Sequence, residues 1–197
     1  MLEGDKAMPT ASQRDTRLTY EDFCRIPDDG VRHEIIDGIH YMTPSPVRRH
    51  QLLLGRLHLA IGTFLADHPE VGQAYLSPFD TVFSPWDVVE PDLLFVAADQ
   101  LDILTEPNIQ GAPALVIEIL SPGTRKRDLG IKRQLFDRGG VREYWVVDPR
   151  VNEVTVYHRA VDGSFPRVAQ MGEDDDATLT TPLLPGFTLS LTKLFAP

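Results

Sequence analysis

The 197-residue chain has a single cysteine, Cys24. No intrachain disulfide can form, and a reducing, cytoplasmic setting fits that count. Cys24 itself reads as a small buried residue rather than a nucleophile. No stretch approaches the ~18 consecutive apolar residues of a membrane helix, so no membrane partner is expected. The opening stretch MLEGDKAMPTASQRD lacks an apolar run and does not read as a signal peptide. Residues 1–17 are expected to be a mobile tail and residues 18–197 a single domain. Positive charge is scarce too: 19 Lys and Arg against 29 Asp and Glu leave a net −10. That argues against a protein that coats nucleic acid, because phosphate binding at that scale takes a surplus of Lys and Arg. Internal repeats and low-complexity linkers are absent, as are a P-loop, G-x-G-x-x-G, H-E-x-x-H and G-x-S-x-G. Those absences set aside the common phosphate-binding loops, the helix-borne zinc proteases and the nucleophile-elbow hydrolases. The six histidines show no metal-ligand spacing, and His50 and His58 are expected at a helix surface.

What is present is a core and a pattern. Hydrophobic residues make up 42% of the chain, enough for one ordinary domain. Thr19 followed by Asp22 reads as a capping box opening a short helix. RHEIIDGIHYM reads as a hairpin turning at Asp37-Gly38. Pro46 to Asp67 is helical, with Leu53, Leu57, Ile61, Phe64 and Leu65 on one face. Short strands follow near Val71–Tyr75 and Phe79–Phe83, and DLLFVA from Asp92 is a buried strand. Thr105 to Pro113 is a loop, and ALVIEIL the next strand. Thr124 to Arg138 is a helix stopped by Gly139-Gly140, and EYWVVD and VTVYHR are further strands. GEDDDA reads as a turn, and the chain closes with a strand, a loop and a last helical turn. This order predicts an α/β fold with a mixed sheet, in which Leu115 to Asp148 forms a crossover between parallel strands.

The run LVIEILSP carries one carboxylate, Glu118, near the end of a strand that is otherwise apolar. A buried lone charge costs several kcal/mol, so Glu118 needs a partner, a proton, a rim position or a metal. Asp92 begins its strand just as Glu118 ends its own. If the two strands run antiparallel, the carboxylates become neighbours across a spacing of ~4.8 Å and can share a cation. The alternative is an ion pair between Glu118 and an arginine such as Arg125. In the helix that follows, a step of ~100° per residue places Arg125, Asp128, Leu129, Lys132, Leu135 and Phe136 on one arc. Lys132 therefore faces the sheet and needs an anion, and Glu118 and Asp92 are at hand. Two carboxylates and an inward lysine suit phosphoryl transfer, in which a metal polarises the phosphate and the lysine steadies charge. Glu34 can complete the site from the hairpin, and Asp128 can support Lys132. Arg125 to Arg142 holds seven basic and two acidic residues, a net +5 that leaves −15 for the rest. Arg125, Lys126, Arg127 and Arg133 are its candidate phosphate-backbone contacts; a solvated helix face is the plainer alternative.

EPDLLFV followed by GAPALVIEILSPGTRKRDLGIKRQLFDRGGVREYWVVDP closely resembles the Uma-two family of bacterial restriction-endonuclease-like proteins, within the PD-(D/E)XK nuclease superfamily. The likeness reaches upstream to HEIIDG and downstream to LLPGFTLSLTKLF. It implies a restriction-endonuclease-like mixed β-sheet flanked by helices, with an extra N-terminal hairpin and C-terminal strands. By resemblance, Pro91-Asp92 is the PD element and Glu118 the acidic element. Leu120 stands where the superfamily has lysine, and Lys132 is the matching position on the helix. Glu34 matches an acidic residue that the superfamily places on an early element. The expected activity is Mg²⁺-dependent hydrolysis of DNA phosphodiesters, with Mn²⁺ as a substitute. Asp92, Glu118 and the backbone carbonyl of Ile119 would be the metal ligands. DNA is the expected partner, and cutting both strands of a duplex suggests a homodimer. The alternative is a catalytically inactive protein of the same fold with a binding or regulatory role, which the acidic charge and Leu120 favour. Hydrolysis of a small phosphorylated molecule would use the same residues.

Overall fold

The computed structural model describes residues 17–173 and 177–197. The expected tail, through residue 16, and the centre of the GEDDDA turn lie outside them. Thr19 caps α1 (Tyr20–Phe23) with the reciprocal capping box its sequence announces. Cys24 follows at the helix end and is exposed, not buried, because this short helix has no buried residue of its own.

The hairpin forms as read: β1 (Arg32–Ile36) and β2 (Ile39–Thr43) pair antiparallel. Asp37 and Gly38 both take positive φ, 53° and 76°, as a two-residue hairpin turn demands. Helix α2 (Arg48–Asp67) buries His50, Leu53, Leu54, Leu57 and Ile61. After it come β3 (Gly72–Leu76), β4 (Thr81–Ser84), β5 (Asp87–Val89), β6 (Leu93–Ala97), β7 (Ile109–Gln110) and β8 (Leu115–Ile119).

The expected helix over Thr124 to Arg138 is not regular. Two α-helical stretches, α3 (Arg125–Arg127) and α4 (Arg133–Gly139), are joined by a π turn over Asp128–Lys132. Gly140, at φ 92°, caps the end in the left-handed region. Strands β9 (Glu143–Asp148), β10 (Glu153–His158), β11 (Arg167–Gly172), β12 (Thr178–Leu179) and β13 (Leu189–Ser190) lead to α5 (Leu191–Phe195).

The strands form two main sheets where the sequence suggested one. The six-stranded sheet runs β11-β10-β9-β8-β6-β3, and only its β8–β9 pair is parallel. The N-terminal hairpin is built into a second, five-stranded sheet, β2-β1-β5-β4-β7. Strands β5, β7 and β11 are too short or too polar to stand out by alternation alone. One face of the six-stranded sheet carries Leu93, Phe95, Leu115, Ile117, Trp145 and Val147, which pack with Leu53, Leu57 and Ile61 of α2 and with α5. The other face carries Val116, Leu120, Tyr144 and Val146. It packs with Leu135 and Phe136 of α4, and with Ile36 and Val89 from the second sheet. Strand β8 is covered on both sides, which is why its sequence is an apolar run rather than an alternation.

Candidate active site

The second face of the large sheet sets the site. Leu93 pairs with Ile117 and Leu94 with Val116. Carrying the register one step back places Asp92 opposite Glu118 on the face that holds Val116. Glu118 is 3% exposed and Asp92 2%. The antiparallel pairing on which a shared cation depended is therefore present.

Lys132, 2% exposed, reaches both acidic elements. Its Nζ donates to Glu34 Oε1 at 2.8 Å and forms an ion pair with Glu118 Oε1. Burial works against the ammonium, but Glu118, Glu34 and Asp128 outweigh it and hold Lys132 above its ordinary pKa. Burial pushes the Glu118 carboxyl well up, against the pull of Lys132. Glu34 is buried and also accepts from the Glu90 amide at 3.2 Å. Arg127 lies 3.4 Å from Glu34 Oε2 and donates to Thr43 Oγ1 at 2.5 Å.

Asp92 is held on all sides. Arg32 donates to Oδ1 through both terminal nitrogens at 3.2 Å, and Oδ2 meets His50 Nε2 at 3.0 Å and accepts from the Ile119 amide at 2.8 Å. Burial raises this carboxyl, yet the His50 bond, Arg32 and the Ile119 amide outweigh it and bring its pKa below the ordinary value. The Leu120 amide donates to Val147 on the β9 side at 2.8 Å. Across a planar trans peptide the Ile119 carbonyl points the opposite way, toward the Asp92 side. Asp92, Glu118 and Ile119 line one cavity of about 110 Å³, together with Glu34, Lys132, Arg32, His50 and Arg127. Among the described residues no three Asp, Glu, His or Cys side chains form a ready metal cluster.

Of the residues singled out from sequence, Glu34, Asp92, Glu118, Lys132 and Arg127 converge here, and Ile119 joins through its backbone. Arg125, Lys126 and Arg133 do not line this cavity. Arg125 pairs with Asp148, not with Glu118. Lys126 is exposed on α3, and the Arg133 guanidinium sits 5.4 Å from the Tyr157 ring centre. Arg138 and Arg142 are paired with Asp37, Asp87 and Asp99. Much of the basic segment is thus tied to the protein's own groups. Asp128 is buried, with its carboxyl pKa raised by burial, while Leu129 is 36% exposed rather than inward. A uniform 100° step misplaces Leu129 because the π turn widens the helix at that point. Tyr144 is core, as expected, and its hydroxyl donates to the Asp128 carbonyl at 3.2 Å.

Two site residues escaped the sequence reading. His50 is buried at the cavity, not at the helix surface. It precedes Leu53 by three residues and Leu54 by four, which places it on the buried stripe. Arg32 was not singled out, although it shares a strand face with Glu34 by the two-residue period of β1.

Comparison with known proteins agrees with this architecture. A family described as "Uma2: Putative restriction endonuclease" matches residues 20–192. An uncharacterized protein of Synechocystis sp. is 27% identical over 138 residues, 68% of this chain and 70% of that one. The crystal structure of "a putative nuclease belonging to DUF820" from Anabaena variabilis superposes with a TM-score of 0.76 at 21% identity, covering 91% of this chain and 98% of the other. At that identity the likeness speaks for the fold.

Proposed function

The chain belongs to the Uma2 family, and from that premise we propose that it is a metal-dependent endonuclease hydrolysing phosphodiester bonds in DNA. The observation that carries the reading is Asp92 directly across from Glu118, with buried Lys132 bridging Glu118 and Glu34. The donor set fits Mg²⁺ or Mn²⁺: Mg²⁺ is held by one or two carboxylates, completed by water and phosphate oxygens. Asp92, Glu118 and the Ile119 carbonyl would hold it. A divalent cation would also favour the ionised form of the Glu118 and Asp128 carboxyls, which burial otherwise raises. Bound there, the ion would polarise the scissile phosphate and acidify water.

The protein's own groups do the rest. Lys132, kept protonated by its carboxylates, steadies charge on the phosphoryl oxygens. Glu34 and Glu118 fix its position. Arg127, tied to Glu34 and Thr43, faces the same cavity and can meet a neighbouring phosphate. Water gives up a proton to solvent as it adds to phosphorus, the bridging P–O bond breaks, and the leaving oxygen takes a proton from solvent. Arg32 and His50 fill the oxygens of Asp92, so one of their contacts must yield as the ion enters.

That full engagement of Asp92 also supports a second reading, a catalytically silent protein of the same fold. Cleavage of supercoiled plasmid and single-stranded DNA with Mg²⁺, Mn²⁺ or EDTA separates the two. The nuclease reading expects metal-dependent cutting that Asp92→Asn and Glu118→Gln each reduce at least ~100-fold, with unchanged circular dichroism. Cutting that survives both substitutions would overturn the site; no cutting by the wild type in any metal would favour the silent reading.

A further inference from the structure

Most arginines of this acidic chain are tied to its own carboxylates and carbonyls. Among the described residues, the Lys and Arg side chains with no hydrogen bond, ion pair or ring contact are Arg48, Lys126, Arg150 and Lys193, all exposed. Three of these gather at one place. Arg48 opens α2, directly after Pro46 and Val47, which line the small cavity. Lys126 lies in α3, two residues past Thr124, the last residue of a loop that also lines it. Arg150 stands in the turn after β9 and lines a further cavity of about 260 Å³, which shares Ser121 and Pro122 with the small one.

The three segments touch. A Cβ at Gly123 would stand 3.6 Å from the Pro44 ring. Arg49, next to Arg48, donates to Asn152 Oδ1 at 3.3 Å. Asp148 pairs with Arg125, next to Lys126, and accepts from the Arg150 amide at 3.1 Å. The carboxylates at these segments are engaged already, Asp148 in this way and Glu173 by the Asn152 amide at 2.7 Å. Grouped cations without partners favour an anion that arrives from outside. They come from three separate segments and do not converge on one built pocket, so the anion they suit carries repeated charges along a chain.

Resting on the nuclease reading above, we propose that Arg48, Lys126 and Arg150 are the phosphate contacts that lead a DNA backbone across the mouth of the small cavity. The track is then a rim of three segments, and the basic run from Arg125 to Arg142 adds only Lys126 to it. Contacts of this kind position the strand and read no sequence. Three of them also make binding weak and strongly dependent on salt, as expected of a chain with net charge −10.

Fluorescence anisotropy of a labelled DNA duplex, in EDTA and from about 50 to about 200 mM salt, tests the track. The expected slope of log affinity against log salt is about −2.7, or about −0.9 for each cation. Arg48→Ala, Lys126→Ala and Arg150→Ala should each weaken binding about fivefold and remove about 0.9 from the slope. Arg48→Lys, which keeps the charge, should keep the slope. Lys193→Ala is the control, because Lys193 is equally unpaired but lies on α5 beside Leu59 and Phe64. In Mg²⁺ or Mn²⁺ the three alanine variants should lose cutting through KM rather than kcat. A wild-type slope near zero, or an equal loss in Lys193→Ala, overturns the track; cutting that still requires Glu118 then leaves the nuclease standing. Binding that responds as expected, with no cutting by the wild type in any metal, overturns the nuclease reading and leaves the track as a binding surface.

Discussion

Lys132 is enclosed by Glu34, Glu118 and Asp128, so its charge organises the site before any ligand arrives. Removing one partner from a buried ionic group leaves the others uncompensated, at a cost of about 3–5 kcal/mol. Lys132→Met should therefore lower stability by about that amount in urea unfolding, as well as abolish cutting. The loss should shrink at acid pH, where the carboxyls take up protons. Glu90 makes the opposite case. Burial, helped by the neighbouring Asp80 charge, pushes its carboxyl up to about 7 from an ordinary 4.5. A carboxyl with a raised folded-state pKa favours folding below its unfolded value and loses that contribution as pH rises through the folded one. In metal-free protein, Glu90→Gln should thus be more stable than wild type at pH 8, by up to about 3 kcal/mol. The difference should fade as pH drops through the window between about 7 and 4.5. A difference that stays constant across that window would remove Glu90's burial as the cause.

The element that matters most is the interrupted helix. The α4 segment is anchored through Leu135 and Phe136, and α3 lies beyond the π turn. A π turn accommodates one residue more than an α turn, so the stretches on either side of Asp128–Lys132 keep their phase. Deleting Gly130 should therefore give ordinary α-helix and leave both the Lys132–Glu118 pair and the Arg127–Glu34 contact in place, with the circular dichroism little changed. Arg127→Ala should slow cutting at least tenfold, with most of the loss in KM if Arg127 meets substrate phosphate. The hairpin was legible for the opposite reason. Asp37-Gly38 is a local signal, satisfied by local backbone geometry. The π turn has no such signature in Asp128–Lys132; the partners that hold Lys132 at its end, Glu34 and Glu118, come from distant parts of the chain.

At the scale of the whole molecule, the site sits where two sheets and two helices meet, and a metal ion would bind only the folded form. At ten times its Kd, Mg²⁺ should stabilise the protein by about 1.4 kcal/mol, a rise of a few degrees in Tm for a chain of this size. EDTA should reverse the rise, and Glu118→Gln should abolish it; an equal rise in Glu118→Gln would place the ion elsewhere. The sequence by itself determined the α/β class, the hairpin, the parallel β8–β9 crossover and four charged residues that meet in one cavity, Glu34, Asp92, Glu118 and Lys132. Those follow from periods and turn residues, which act over short spans, and from strand ends that fix where a carboxylate emerges. The tertiary structure decided what depends on distant partners. The hairpin entered a second sheet rather than flanking the first. His50 and Arg32 closed on Asp92, and Arg125, Arg133 and Arg138 turned to partners within the protein. A charged side chain's environment is set by whichever groups the folded chain brings within a few ångströms, and no local period encodes that.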